Sequence, residues 1–336
     1  MAELRLGIAG LGAVGLATLR ALQERQDFLA RRAGKVLRLV AVSARDRGRD
    51  RGVDLGAYRW HDDPVSLAGA DDIDVVIELM GGTHGAAHAL VTGALRQGKD
   101  VVTANKALLA THGRDVAMLA ESTGRQLAFE AAIAGGVPIV KVLREAMTGN
   151  RVTRIRAILN GTCNDILSRM ARETVTFDHA LRAAQEAGYA EADPSQDIDG
   201  IDPAQKIALL ALLAFGKSVD FATIPCTGIR GITQHDVAQA RNDGMVLKLI
   251  ATATMAEGDI RLGVKPEKLP AHDLFAQLDG PANAIELHGD LVGPVILVGP
   301  GAGGNATASA VIADVVDIAR GGRILPFGVP GVQLGS

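Results

Sequence analysis

Cysteine is nearly absent from this chain of 336 residues: only Cys163 and Cys226 occur, too few for a disulfide framework or a zinc framework. A reducing, cytoplasmic setting is therefore expected. Aromatic residues are scarce at 3%, which favours packing by Ala, Val, Leu and Ile over aromatic-rich recognition surfaces. A dominant charge sign is also missing. The formal net charge of −3 gives no support for a nucleic-acid or anionic-membrane partner. No apolar run is long enough to span a bilayer. The N-terminus enters strand-like sequence at once, without a basic region and a cleavage site. Asn160-Gly161-Thr162 and Asn305-Ala306-Thr307 are accordingly not read as glycosylation sites.

What is present is the composition of an ordinary soluble globular protein, 48% hydrophobic and 22% charged. Its length exceeds what one core usually covers, so two domains are expected. Short apolar runs at 4–9, 36–43, 74–79, 101–103 and 126–129 suit buried strands. Helical patterns at 14–22, 86–96 and 106–120 fall between them. That alternation predicts a doubly wound parallel sheet, the Rossmann arrangement, over 1–138. The character changes after Pro138. A helix over 139–147, a strand over 152–159, helices over 162–171, 178–187 and 203–215, and strands over 247–255, 260–264 and 295–298 predict an α+β domain with a mostly mixed sheet over 139–303. A last helix over 306–320 and a Gly/Pro-rich tail make up a terminal segment, 304–336, that returns to the nucleotide domain.

The first motif is Gly10-Leu11-Gly12-Ala13-Val14-Gly15. It follows a strand and opens a helix, which is the context a dinucleotide site requires. Gly10 permits a tight turn, Gly12 lets a pyrophosphate approach the backbone, and Gly15 lets helix pack close to strand. The anion would rest on the helix N-terminus. The tip of the second strand, Val42-Ser43-Ala44-Arg45, lacks the acid that binds ribose hydroxyls, and Arg47 and Arg49 follow. NADP is therefore expected over NAD, with Arg45 at the 2′-phosphate. Asp46 opposes this, and a solvated basic loop accounts for the same residues.

The segment 188–206 carries five acids (Glu191, Asp193, Asp197, Asp199 and Asp202) and ends in Lys206 at the start of an apolar helix. Asp202-Pro203-Ala204-Gln205 reads as a helix entry with Asp202 at the N-cap. Lys206 lies one turn on, so the two side chains can share a face. Either Asp202 only caps the helix and pairs with Lys206 at the surface, or the lysine is half-buried and moves a proton at a substrate oxygen.

At these residues the chain resembles the homoserine dehydrogenases. The likeness extends to Glu78-Leu79-Met80-Gly81-Gly82, Thr103-Ala104-Asn105-Lys106, Asn160-Gly161-Thr162, Gly301-Ala302-Gly303 and Ala306-Thr307-Ala308-Ser309-Ala310, so it covers nearly the whole chain. The resemblance implies interconversion of L-homoserine and L-aspartate 4-semialdehyde with NAD(P), in threonine and methionine biosynthesis. It implies that Lys206 handles the hydroxyl proton with Asp202 beside it, and that Lys106 lies near both nicotinamide and substrate. Glu191 would bind the substrate ammonium, and Asp197 would be a second acid of that pocket. Gly10, Gly12, Ala13, Val14, Gly15, Thr83 and Gly303 would contact the cofactor. A monovalent cation, sodium in most members, would be held by Glu130 and the carbonyls of Ile133, Gly135 and Val137; carboxylate and carbonyl oxygens suit such a hard ion. A Gly-rich hinge would account for that stretch as well. A homodimer formed through the second domain is also implied.

Two departures from the family pattern stand out. Gln196 occupies a place where some relatives have an acid, and little sequence follows the last helix. A C-terminal ACT domain is therefore not expected, nor is threonine feedback through one. Two other functions compete. An aldehyde-oxidising semialdehyde dehydrogenase would need a thiolate, for which Cys163 is the candidate. A non-catalytic dinucleotide-binding sensor would keep the nucleotide loop alone.

Overall fold

The computed structural model describes residues 2–335. The chain divides into two compact units, one running to Glu145 and resuming at Ala302, the other spanning Ala146–Gly301. The first contains a six-stranded sheet in the order β3-β2-β1-β4-β5-β6. Its strands are β1 (Glu3–Ala9), β2 (Val36–Ser43), β3 (Arg59–His61), β4 (Val75–Glu78), β5 (Asp100–Thr103) and β6 (Leu127–Ala128). All neighbours run parallel. Leu6, Ile8, Val75, Val76 and Ile77 are fully buried. A parallel sheet is covered on both faces, which is why these strands read as unbroken apolar runs. The strand order reverses between β1 and β4, the point at which such sheets open a crevice for ligands.

Helices α1 (Ala13–Glu24), α2 (Gln26–Ala33), α3 (Ala86–Arg96) and α4 (Lys106–Thr123) cover this sheet. α2 and β3 have no counterpart in the sequence pattern: one is a polar helix, the other only three residues long. The terminal helix α11 (Gly304–Arg320) also belongs here, its Val311 and Val315 sharing a core with Leu4, Leu19 and Leu37. The continuous helix expected over 139–147 is one α turn, α5 (Ile139–Lys141), followed by a wider π turn, Val142–Ala146. Most of this stretch stays with the first unit, although the change of character after Pro138 suggested otherwise. The Glu130 carboxylate accepts from the N–H groups of Val140 (2.8 Å) and Lys141 (2.9 Å), and the Lys141 ammonium donates to Asp317.

The second unit has five strands in the order β11-β10-β7-β8-β9: β7 (Val152–Ile158), β8 (Met245–Ala256), β9 (Asp259–Pro270), β10 (Ala282–Gly289) and β11 (Gly293–Pro300). Every neighbouring pair is antiparallel, and the parallel component is the single bridge between Cys226 and Val264. Its helices are α6 (Gly161–Glu173), α7 (Phe177–Glu186), α8 (Ser195–Ile198), α9 (Ile201–Phe215) and α10 (Gln234–Asn242). Lys248 of β8 is buried among them. Its ammonium donates to Asn164 Oδ1 (2.9 Å), Ser168 Oγ (3.1 Å) and the Leu278 carbonyl. Three donors meet three acceptors, and burial brings its pKa down to about 8. The loop before β10 is thereby tied to α6. No helix among the described residues is long and apolar enough to cross a membrane.

Candidate active site

In the first unit the three glycines of the loop divide the work as their spacing requires. Gly10 has φ +103°, and a Cβ there would lie 2.5 Å from the Leu79 carbonyl oxygen. Its N–H donates to the Ser43 carbonyl at 2.8 Å, carrying the β1–β2 pairing one residue into the turn before α1. A Cβ at Gly15 would lie 2.0 Å from the Gly10 oxygen, so only glycine lets α1 approach this closely. Around Gly12 nothing stands within 4 Å, and no side chain caps α1. Its first N–H groups, those of Ala13 and Val14 included, form a bare helix N-terminus, which suits a pyrophosphate. The start of α11 lies beside this loop: a Cβ on Gly304 would sit 3.0 Å from the Ala13 oxygen, and Gly303 (φ +115°) is itself open.

A second loop, 79–84, is shaped by a buried network that the motifs only hinted at. Glu78, at the end of β4, accepts from the N–H groups of Met80 (2.8 Å) and Gly81 (3.1 Å) and from Thr103 Oγ1 (2.6 Å). Asn105 donates to the Gly82 carbonyl (2.7 Å) while its Oδ1 accepts from Leu108 N–H, capping α4. Thr83 therefore follows a pinned turn, and Lys106 is the first residue of α4. Beyond it His84 Nδ1 and His112 Nε2 lie 3.1 Å apart. At the tip of β2, Arg45 is exposed, and the Asp46 carboxylate is turned onto the Gly48 N–H at 2.9 Å. Arg47 and Arg51 stack over Trp60 at 6.0 Å and 5.7 Å from the ring centre.

Glu130 is buried, and its pKa rises to about 7 because burial outweighs the N–H donors it holds. Its own N–H donates to Asp314 at 2.8 Å. Gly135 takes φ +53°, turning the 133–137 backbone, and the Val137 carbonyl accepts from Ile139 N–H at 2.8 Å. Carboxylate and carbonyl oxygens are the ligand type a hard cation takes; here both Glu130 oxygens already accept N–H groups, with the Lys141 charge nearby.

In the second unit the five acids of 188–206 have different fates. Asp193 accepts from Ser195 N–H at 3.1 Å. Asp199 takes a bidentate Arg230 at 2.7 and 2.8 Å. Glu191 is exposed, and among the described residues only its carbonyl is engaged, by Gln185 at 3.0 Å. Asp197 and Asp202 alone converge, on the carboxamide of Asn160: Nδ2 donates to Asp197 Oδ1 at 2.7 Å and to Asp202 Oδ2 at 2.9 Å. Burial is the largest influence on Asp197 and raises its pKa, against the Asn160 hydrogen bond. Asp202 is not the N-cap of α9; Gly200 is, with φ +84°, and the helix begins at Ile201. Freed from capping, the Asp202 side chain meets Asn160 and Lys206 instead. The structure brings Lys206 Nζ to 2.8 Å from Asp202 Oδ2, with only 12% and 11% of the two side chains exposed. The same ammonium donates to the Leu159 carbonyl at 2.9 Å. That carbonyl also accepts from Asn283 at 3.1 Å. Asn160, Asn283 and the Leu159 carbonyl went unassigned in the sequence. Asn immediately before a helix is a capping signal, but its tertiary partners carry none.

Cys163 is fully buried, and its Sγ donates to the Asp197 carbonyl at 3.2 Å. Burial, followed by the charges of Asp197, Asp202 and Asp199, pushes the thiol well up. A thiolate nucleophile at this position is opposed on both counts.

Comparison with known proteins agrees with this geometry. Residues 10–130 match the family model described as homoserine dehydrogenase, NAD binding domain, and residues 138–316 match the one described as homoserine dehydrogenase. The homoserine dehydrogenase of Pseudomonas aeruginosa is 42% identical over 320 residues, which is 95% of this chain and 73% of that protein. A solved homoserine dehydrogenase from Thiobacillus denitrificans superposes with a TM-score of 0.90 at 42% identity, covering 95% of this chain and 73% of that one. A hyperthermophilic archaeal homoserine dehydrogenase solved in complex with NADPH gives a TM-score of 0.80 at 28% identity, covering 96% and 99%.

Proposed function

Because this chain belongs to the homoserine dehydrogenase family, we propose that Lys206 is its proton-transferring residue, Asp202 the acid that holds it, and the loop at Gly10 to Gly15 the seat of the cofactor pyrophosphate. The reaction is reversible NAD(P)-dependent hydride transfer between L-homoserine and L-aspartate 4-semialdehyde. The observation that carries the assignment is the half-buried ammonium of Lys206, 2.8 Å from Asp202 and 2.9 Å from the Leu159 carbonyl. An ammonium has three N–H bonds, so two fixed acceptors leave the third to aim. In the reduction direction Lys206 gives a proton to the oxygen that becomes the hydroxyl. In oxidation its amine takes that proton back. The nicotinamide, when bound, takes up or supplies the hydride.

Lys106 is proposed beside the reacting centre, with Asp197 and Glu191 as acids of the substrate pocket. The exposed Glu191 carboxylate, uncommitted among the described residues, takes the substrate ammonium. Thr83 and Gly303 complete the cofactor contacts. NADP is the preferred form, since no acid stands at the tip of β2 and Asp46 is spent on the Gly48 turn. NADPH in the archaeal relative supports this. Arg45→Ala is expected to raise the KM for NADP roughly 10-fold, the value of one charge-assisted contact, and to leave that for NAD unchanged. Equal KM values for NADP in the variant and the wild type would remove Arg45 from the site.

Glu130 with the carbonyls of Ile133, Gly135 and Val137 would hold a sodium ion, supplying the charge that the buried carboxylate lacks. Sodium chloride should then raise the unfolding midpoint by about 3 °C over choline chloride of equal ionic strength. Glu130→Gln should lose that difference. An equal sodium effect in the variant would place the ion elsewhere. A homodimer through the second unit fits the exposed apolar side chains of Leu291, Val292 and Val298 at its β11 edge.

A further inference from the structure

We infer that Asn160 is a positioning residue of this reaction: its carboxamide, locked at the start of α6, holds Asp197 and Asp202 apart and keeps Asp202 on Lys206. The inference rests on Lys206 being the proton-transferring group.

The orientation of the amide is dictated at both ends. Oδ1 accepts from the Cys163 N–H at 2.8 Å, and Nδ2 donates to Asp197 and Asp202 at 2.7 and 2.9 Å. Turning it over would set its oxygen against two carboxylate oxygens and its NH2 against an N–H. The side chain is buried, 5% exposed, so water does not substitute for either contact. Nor can the start of α6 drift. A Cβ on Gly161 would meet the Pro281 oxygen at 2.5 Å, so the loop before β10 lies directly against this turn. Asn164 donates to the carbonyls of Leu278 (3.1 Å) and Gly280 (2.8 Å), and Lys248 donates to Asn164 Oδ1 (2.9 Å). The amide is thus a fixed donor pair built on a braced helix end.

Two carboxylates that face one another in a half-buried site repel, and one tends to take a proton. An NH2 between them gives each a hydrogen bond. Asp202 can then hold the Lys206 ammonium, and the lysine's third N–H keeps its direction. The charges that act at this point, as felt by the adjoining Cys163, are those of Asp197, Asp202, Asp199 and Lys206. Without the NH2, the two carboxylates lose the donor they share.

Asn160→Asp tests this, because Asp caps a helix as well as Asn does but offers an acceptor where the NH2 stood. The variant should keep the wild-type circular dichroism and its affinity for NADPH. Its kcat should fall about 10- to 100-fold, the value of the lost charge-assisted hydrogen bonds. The acid limb of its kcat profile should move to higher pH, since a third carboxylate favours protonation. If a third buried carboxylate prevents folding, Asn160→Ser takes its place. Serine caps but is too short to reach both acids, so the same fall in kcat is expected. A folded Asn160→Asp or Asn160→Ser with wild-type kcat and pH profile would reduce Asn160 to a helix cap and overturn the inference. Lys206→Ala run in parallel separates the two levels. Full activity there removes the premise, whereas an inactive Lys206→Ala beside a fully active Asn160 variant removes only the positioning role.

Discussion

Lys206→Ala is expected to lower kcat by about 10³-fold while the KM for NADPH stays within a factor of two of wild type; general acid–base groups contribute roughly 10²–10⁴-fold. The two halves of this expectation have separate causes. The ammonium and its acceptors Asp202 and Leu159 lie in the second unit, whereas the Gly10–Gly15 turn lies in the first. Proton transfer should fail with cofactor binding preserved. Lys206→Arg should not restore the rate, because a guanidinium does not give up its proton near neutral pH. The fold should survive, since Asp202 keeps its hydrogen bond from Asn160. Steady-state rates in both directions, with NADPH affinity from nucleotide fluorescence, check this. A variant retaining more than a tenth of wild-type kcat would move the proton to another group.

Gly15→Ala is the second large effect, and here affinity and stability fall together. The new Cβ would meet the Gly10 oxygen at 2.0 Å and its carbon at 3.0 Å, both backbone atoms of the turn proposed to hold the pyrophosphate. One of the two must move, at a cost of about 1–3 kcal/mol. NADPH affinity should drop at least as far as that displacement withdraws the N–H groups of α1, on the order of 10-fold or more. Gly12→Ala is the control. Its Cβ finds nothing within 4 Å and its φ of −79° suits alanine, so the unfolding midpoint should hold. Its affinity should fall all the same, because the methyl group occupies the place of approach. Thermal unfolding with and without NADPH separates the cases. A Gly15→Ala protein as stable as wild type would contradict the close helix–strand packing.

These contrasts follow from what local sequence can encode. The first sheet was legible because strand interiors buried on both faces, such as 75–77, must be apolar. The glycine spacing was legible because each glycine answers a local backbone demand. β10 was not. Its Asn283, Glu286 and His288 break the apolar run; Asn283 finds the distant Leu159 carbonyl, Glu286 the Arg156 of the neighbouring strand, and His288 the Glu286 two residues before it. α2 and α10 are short, polar helices with few apolar residues to mark them. The α9 boundary failed for a related reason. Asp202-Pro203 matches a helix entry locally, yet Asp202 is drawn to Asn160, 42 residues earlier, and the αL-tolerant Gly200 takes the cap. The i,i+4 spacing of Asp202 and Lys206 was visible; the Asn160 amide that orders the acids around them was not. The same holds for Glu78, Thr103 and Asn105, quoted as motif letters but joined only by the parallel pairing of β4 and β5.

The central claim, that the Asp202–Lys206 pair delivers the proton while the glycine turn holds the cofactor, is met most directly by one paired measurement. NADPH is first titrated into wild type and into Lys206→Ala, and L-aspartate 4-semialdehyde is then added to the saturated samples while the reduced-nicotinamide absorbance is followed. The expected result is equal NADPH affinity, rapid loss of absorbance in wild type and a loss about 10³-fold slower in the variant. Equal rates in the two samples, or no oxidation by folded, NADPH-saturated wild type, would contradict the account.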